Sequence, residues 1–236
     1  MLMFTMAKIR DGSTYLKNHL TANDYYCEDE CTIGEWIGNS AELLNIQGNT
    51  IGKNCDIFEQ LRTNINPLTG EQLTQRNVKN RIALYDFQCS APKSVSIMGS
   101  MMEDGKIKEA HYESVKIAFA ELEKFASRQI YREGEKTSII TANVVAAKFE
   151  HDTSRSLDPQ IHTHLVVVNA TFCKNERDWY GLETEEMVKA IGFFSFLTNA
   201  SNSLMRDDLS CDLCSLRTSL VDISDNLKLR VAVAMS

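Results

Sequence analysis

Proline is scarce: three in 236 residues, at Pro67, Pro92 and Pro159. That excludes a proline-rich linker or an extended polyproline segment, which need the ring's fixed φ again and again. No apolar run is long enough to cross a bilayer as a helix. The start, Met1-Leu2-Met3-Phe4-Thr5-Met6, lacks the charged lead and apolar core of a secretory signal, so the cytoplasm is the expected location. Basic charge is not in excess: 25 Lys and Arg against 32 Asp and Glu leave a net charge of −7. A wholly basic nucleic-acid binder is thereby excluded, but a local basic groove is not, because binding follows where charges sit. The seven cysteines are odd in number and scattered, so no disulfide framework is expected. Cys211-Asp212-Leu213-Cys214 is a lone CxxC and Cys27 lies near Cys31. Without a second pair, reduced thiols are preferred over a zinc site. Repeats and low-complexity tracts are also missing, while 43% hydrophobic and 24% charged residues suit a globular chain with a sizeable core.

Histidine is rare too, yet three of the five fall close together: His151 and the pair in His162-Thr163-His164. Side chains alternate faces along a strand, so His162 and His164 point the same way. A third imidazole from a neighbouring strand would complete a facial set of nitrogen donors, with positions left open for water or substrate. Histidine donors favour transition metals; zinc, manganese, magnesium and nickel all come into consideration.

The pattern along the chain sets these residues in place. Leu2 to Ile9 reads as a strand, and Asp11-Gly12-Ser13 as a turn starting a short helix over Thr14 to Leu20. Ala41 to Ile46 and Asp56 to Ile65 read as short helices, with Asn66-Pro67-Leu68-Thr69-Gly70 as a turn at the tip of an extended hairpin. Ile82 to Cys89 is an expected strand carrying Asp86, followed by a helix that Pro92 opens. The spacing of Val115, Phe119, Leu122 and Phe125 predicts one long helix over Lys106 to Tyr131, ended by Arg132-Glu133-Gly134-Glu135. Ser138 to His151 and Ile161 to Phe172 read as β-rich segments around a polar turn. An antiparallel hairpin there would bring His151 against His162. Thr184 to Leu197 reads as helical. This order of elements predicts an α+β sandwich.

A metal held by three imidazoles could bind a phosphate oxygen and withdraw charge from phosphorus. The nucleophile stays open at this point: water would give hydrolysis, and a side chain a covalent intermediate. Tyr15, Tyr25 and Tyr26 are candidates, but a phenol titrates near pH ~10 and needs a base or a cation to ionise. Asp86 could be that base, or could orient a histidine through its second nitrogen. Arg76, Lys79 and Arg81 cluster near Gln75, Asn77 and Asn80, and with Lys93 are candidates to track phosphates. Trp36, Trp179 and Tyr180 could stack on bases or pack in a core.

Several motifs occur together. Tyr85-Asp86-Phe87-Gln88-Cys89-Ser90-Ala91-Pro92-Lys93-Ser94-Val95-Ser96, followed by His151 and by Asp158-Pro159-Gln160-Ile161-His162-Thr163-His164, closely resembles the MobF class of conjugative relaxases. Asn23-Asp24-Tyr25-Tyr26 and the stretch from Trp36-Ile37-Gly38 to Gly48 fit the same class, and the resemblance runs in order to about Leu197. It implies a HUH-type endonuclease with a central antiparallel sheet and helices packed on one face. It implies origin-of-transfer DNA as the partner, read as a hairpin plus the adjoining single strand. Accessory relaxosome proteins and a coupling protein are further implied partners. It implies attack by a tyrosine on the phosphate at the nick site, leaving a 5′-phosphotyrosyl link and a 3′-hydroxyl. By motif, His151, His162 and His164 would hold the divalent metal, Asp86 would stand beside the nucleophile, Tyr15 would be the first catalytic tyrosine, and Tyr25 and Tyr26 the second pair.

The sequence departs from the class at three points, one of them a gap from Tyr15 to Tyr25 slightly longer than usual. Tyr15 is followed by Leu16, where the class often has a second tyrosine. After Leu197 the resemblance ends, so residues 1–197 are expected to form the relaxase domain and 198–236 an unmatched tail, diverged, truncated or frame-shifted. The helicase or primase domain that often follows in the class has no match in this sequence; if one exists, it is expected on another chain or beyond this one. The competing readings are a rolling-circle replication initiator, a DNA-binding module without cleavage, and a metal-dependent hydrolase using water. The Ser-Ala-Pro-Lys-Ser-Val-Ser run favours the relaxase over the initiator.

Overall fold

The computed structural model describes residues 3–10, 34–51, 56–75, 80–101, 105–132, 134–154 and 156–192. Six strands form the central sheet: β1 (Met3–Ile9), β2 (Gly34–Ile37), β3 (Thr50–Ile51), β4 (Leu84–Ser90), β7 (Ala146–Thr153) and β8 (Pro159–Val168). Their spatial order is β1-β4-β8-β7-β2-β3, and every neighbouring pair is antiparallel. The four helices labelled here are α1 (Asn39–Leu43), α2 (Asp56–Arg62), α3 (Lys93–Met101) and α4 (Lys106–Glu123). The remaining strands are β5 (Ser127–Arg132), β6 (Glu135–Ile140), β9 (Thr171–Cys173), β10 (Asp178–Tyr180) and β11 (Leu182–Glu183). They form a three-stranded sheet, β11-β5-β6, and the β9–β10 hairpin. Among the described residues no helix is long and apolar enough to cross a membrane.

The period of two along each strand divides the core into two layers. Phe87, Cys89, Leu165 and Val167 turn to one face and meet Val115, Ala118, Phe119 and Leu122, the apolar stripe of α4. Leu84, Val166, Val168, Ala147 and Phe149 turn to the other and meet Trp36, Ala41 and Leu44, with Phe58 and Leu61 of α2. The sheet is therefore covered by helical side chains on both faces, where one face was expected. Short α1 and α2 supply the second layer because Phe58 and Leu61 are apolar and buried despite the brevity of their helix.

The antiparallel α+β architecture is as expected, but the long helix is shorter. It stops at Glu123, and residues from Ser127 pair instead with β6. Phe125 fits a helical spacing, but a full antiparallel ladder, Ser127↔Ile140 to Arg132↔Glu135, outweighs that local preference. Gly134, with φ 86, lies in the turn of this hairpin. At the helix end the buried Glu123 carboxylate accepts the backbone N–H groups of Asn39 at 2.7 Å and Val144 at 2.8 Å. It thus fastens the start of α1 to the strand-lead segment. Gly38 makes the turn possible: its φ is 100, and a Cβ there would lie 2.4 Å from the Val144 carbonyl oxygen.

The β-rich run from Ser138 is also divided. Thr141 and Ala142 both donate their N–H to the Ala126 carbonyl, Ala142 has φ 53, and the chain changes sheets before β7 begins. The turn at residues 66–70 is closed by a single bridge, Ile65↔Gln72, rather than by an extended hairpin. Residues 185–192 are helical, in the expected place.

Candidate metal centre

Strands β7 and β8 pair with His151 opposite His162, and Phe149 opposite His164. On the other flank of β8, β4 places Gln88 opposite His164 and Asp86 opposite Val166. The three histidines and Asp86 therefore share one face, at the end of the sheet where the second apolar layer gives way to polar side chains. The hairpin inferred from periodicity is the element that brings His151 to the pair.

The imidazoles form a compact group. His151 stacks on His162 with ring centroids 5.0 Å apart and planes 19° apart; His164 stands edge-on, 5.2 Å from His162 and 5.5 Å from His151. His162, His164 and Asp86 are buried but not sealed, at 9%, 7% and 7% exposure. The Asp86 carboxylate accepts from His164 Nδ1 at 2.9 and 3.0 Å, and the Gln160 carbonyl accepts from His162 Nδ1 at 2.9 Å. Carboxylate and carbonyl oxygens only accept, so Nδ1 carries the proton in both rings. In a neutral ring the lone pair then lies on Nε2, the tautomer in which an imidazole ligates through Nε2. Burial pulls the His162 pKa down; the Gln160 contact opposes this and His164 adds to it. The neutral, donor form is thus favoured.

Among the described residues, no three His, Cys, Asp or Glu side chains stand in a finished ligand arrangement. The donor chemistry nonetheless fits a metal: three imidazoles on one face, two of them already held at Nδ1.

The other sequence-chosen residues divide clearly. Tyr15, Tyr25, Tyr26, Arg76 and Lys79 lie outside the described residues. Lys93 stands near the histidine end of the sheet, and its Nζ donates to the Pro159 carbonyl at 3.1 Å. Arg81 precedes the opposite end of β4; its guanidinium donates to the Asn169 carbonyl at 2.5 Å, and burial lowers its pKa. Trp36 is fully buried against Phe58, at 5.9 Å between rings, so it belongs to the core. Trp179 packs edge-on to Phe172, and Arg128 lies 4.0 Å above the Tyr180 ring. Sequence reasoning missed Gln160, whose contribution is a backbone carbonyl and leaves no trace in residue type.

The TrwC relaxase family profile matches residues 9–214 of this chain. The chain is 32% identical over 189 residues to the multifunctional conjugation protein TraI of Escherichia coli (strain K12), covering 79% of this chain and 10% of that protein. It therefore spans about a tenth of the length of that curated relative. Among solved structures it is similar to conjugative relaxase TrwC in a metal-bound complex with oriT DNA, with a TM-score of 0.74 and 27% identity over 89% of this chain and 71% of that one. It is likewise similar to TrwC complexed with a 27-mer DNA comprising the recognition hairpin and the cleavage site, with a TM-score of 0.73 and 26% identity over 89% and 70% of the two chains. A profile that covers most of the sequence, on a sheet that groups the three histidines, places the chain in one family: it belongs to the TrwC relaxases.

Proposed function

We propose that this chain nicks and rejoins one DNA strand at an origin of transfer by tyrosine transesterification. The observation that carries the reading is the β7–β8–β4 face, where His151, His162 and His164 group together and Asp86 backs His164. Similarity to TrwC in complex with oriT DNA, and with a hairpin plus cleavage site, supports the choice of substrate.

In this reading His151, His162 and His164 hold a divalent metal, which when bound polarises the scissile phosphate. Asp86 keeps the His164 Nδ1 proton in place, and so fixes the ring with Nε2 toward the site. Tyr15 is the nucleophile. Its phenolate oxygen forms a bond to phosphorus, the bond from phosphorus to the 3′-oxygen breaks, and that oxygen leaves as a 3′-hydroxyl after taking a proton. The 5′-phosphotyrosyl link keeps one phosphodiester for another, so attack by a 3′-hydroxyl reverses the step and rejoins the strand. Tyr25 and Tyr26 serve a second strand transfer. Lys93, Arg76, Lys79 and Arg81 are the candidate phosphate contacts, with affinity falling as salt rises.

The test is a covalent-adduct assay on a labelled oligonucleotide carrying the element's nick site, with manganese or magnesium. A denaturant-stable band that EDTA blocks and Tyr15→Phe abolishes is expected. Survival of the adduct in Tyr15→Phe moves the nucleophile to Tyr25 or Tyr26. Hairpin binding with no adduct under any metal overturns the nicking reading.

A further inference from the structure

We propose that Ser96 is a positioning residue for the metal centre: its hydroxyl fixes the start of β8, and with it the His162 ring, from the far side of the sheet. The inference rests on the metal reading above and adds a residue to it. Ser96 lies in the first turns of α3 and is 1% exposed. Its Oγ accepts the backbone N–H of Ile161 at 3.0 Å and donates to the Pro92 carbonyl at 3.3 Å. The Ile161 carbonyl in turn accepts the N–H of Ala91 at 2.9 Å. Both backbone groups of Ile161 are thus held, the carbonyl by the link between β4 and α3 and the N–H by α3 itself.

The side chain of Ile161 is held as well. It is 1% exposed and packs with Ala91 and Val95. It lies so close to α3 that a Cβ on Gly99 would come 2.6 Å from its Cδ1. On either side of Ile161, the Gln160 carbonyl receives His162 Nδ1 and the Pro159 carbonyl receives Lys93 Nζ. Residues alternate faces along β8, so an Ile161 pinned toward α3 directs His162 to the opposite face, toward His151. The Ser-Ala-Pro-Lys-Ser-Val-Ser run therefore acts as a clamp on β8: Ala91 holds the Ile161 carbonyl, Ser96 holds its N–H, and Gly99, which follows, lets the helix lie close.

Ser96→Ala leaves the buried Ile161 N–H without its acceptor and releases the clamp on one side. The measurement is titration of the full chain with Co²⁺, followed by its visible absorption, alongside hairpin-oligonucleotide affinity and far-UV circular dichroism. The expected result is about a tenfold weaker Co²⁺ affinity with hairpin affinity and secondary structure kept, and restoration in Ser96→Thr, which retains the hydroxyl. Unaltered Co²⁺ affinity in a folded Ser96→Ala protein overturns the proposal while the metal reading stands. Wild-type protein that takes up no Co²⁺ overturns both. Should Ser96→Ala not fold, Gly99→Ala presses on Ile161 from the same side: weaker Co²⁺ binding supports the clamp and unchanged binding refutes it.

Discussion

On one face of the central sheet His162 and His164 are buried with an acceptor at each Nδ1, the Gln160 carbonyl and the Asp86 carboxylate. On the other face His111 of α4 is buried completely, and among the described residues neither of its ring nitrogens has a hydrogen-bond partner of good geometry. Burial drives the His111 pKa down to about 4, with His162 adding to the fall and the Cys89 backbone only partly offsetting it. The same residue type, on the two sides of one sheet, thus does two different things. An acceptor at Nδ1 turns a buried imidazole into a directed donor at Nε2. Burial without one makes it a neutral, shape-filling ring that resists protonation.

The largest contrast is expected at the histidines proposed to hold the metal. His162→Ala or His164→Ala should lower adduct formation by at least about 100-fold, read as the covalent band at fixed metal. His111→Leu should leave that band in place. Equal losses on both faces would mean that the histidines act through folding alone. Asp86→Asn is the next step down. If Asp86 orients His164, metal affinity should fall by about 10–100-fold and excess metal should restore the rate. If Asp86 acts instead as the base for the tyrosine, the rate stays low at saturating metal and its pH profile shifts. The direct contact with His164 Nδ1 favours the first outcome.

The helix face can be sharpened by pH. An unfolded imidazole takes up its proton near pH 6.5, whereas His111 in the fold resists down to about 4. Between those values the unfolded chain binds more protons, so stability is whole above about pH 6.5 and is lost as pH falls toward 4. The loss attributable to His111 is about 3 kcal/mol. His162, lowered in the same direction, adds to it in metal-free protein. Urea unfolding at a series of pH values, in EDTA, should show that slope in the wild type and a flatter one in His111→Leu. An identical slope would show that His111 is not the group being protonated.

The site was legible in the sequence to the extent that it rests on period two. His162 and His164 had to share a face, and a turn between β-rich segments had to bring His151 near, as the His151↔His162 register shows. Orientation of a ligand histidine was one of two readings open for Asp86, and its side chain contacts His164. Lys93 and Arg81 stand out in the sequence by charge alone; that each also gives a hydrogen bond to a backbone carbonyl of the fold is something residue type cannot announce. The single helix expected from Lys106 to Tyr131 was misread because local spacing continues through Phe125, while the pairing that ends it is contributed by the non-local partner β6. The second helical layer was missed for a similar reason: α2 is too short to show a clear apolar stripe, and only its packing reveals Phe58 and Leu61 as core.

The smallest expected effect isolates the same contrast at a single atom. Thr163 sits between His162 and His164 in sequence but faces the α4 side, fully buried, and among the described residues its hydroxyl has no hydrogen-bond partner. Its backbone pairs with Cys89 in the β4–β8 ladder, so the strand holds it there whatever its side chain offers. A buried hydroxyl that gives up water and gains nothing is a net cost, and Val presents nearly the same shape without it. Thr163→Val should therefore stabilise the protein by about 1 kcal/mol, seen as a higher urea midpoint at an unchanged slope. Because the alternation of β8 keeps that methyl away from His162 and His164, adduct formation should not change. A destabilised Thr163→Val would mean that a water molecule or a neighbour satisfies the hydroxyl in solution, and that the helix face is less dry than the contrast with the site face requires.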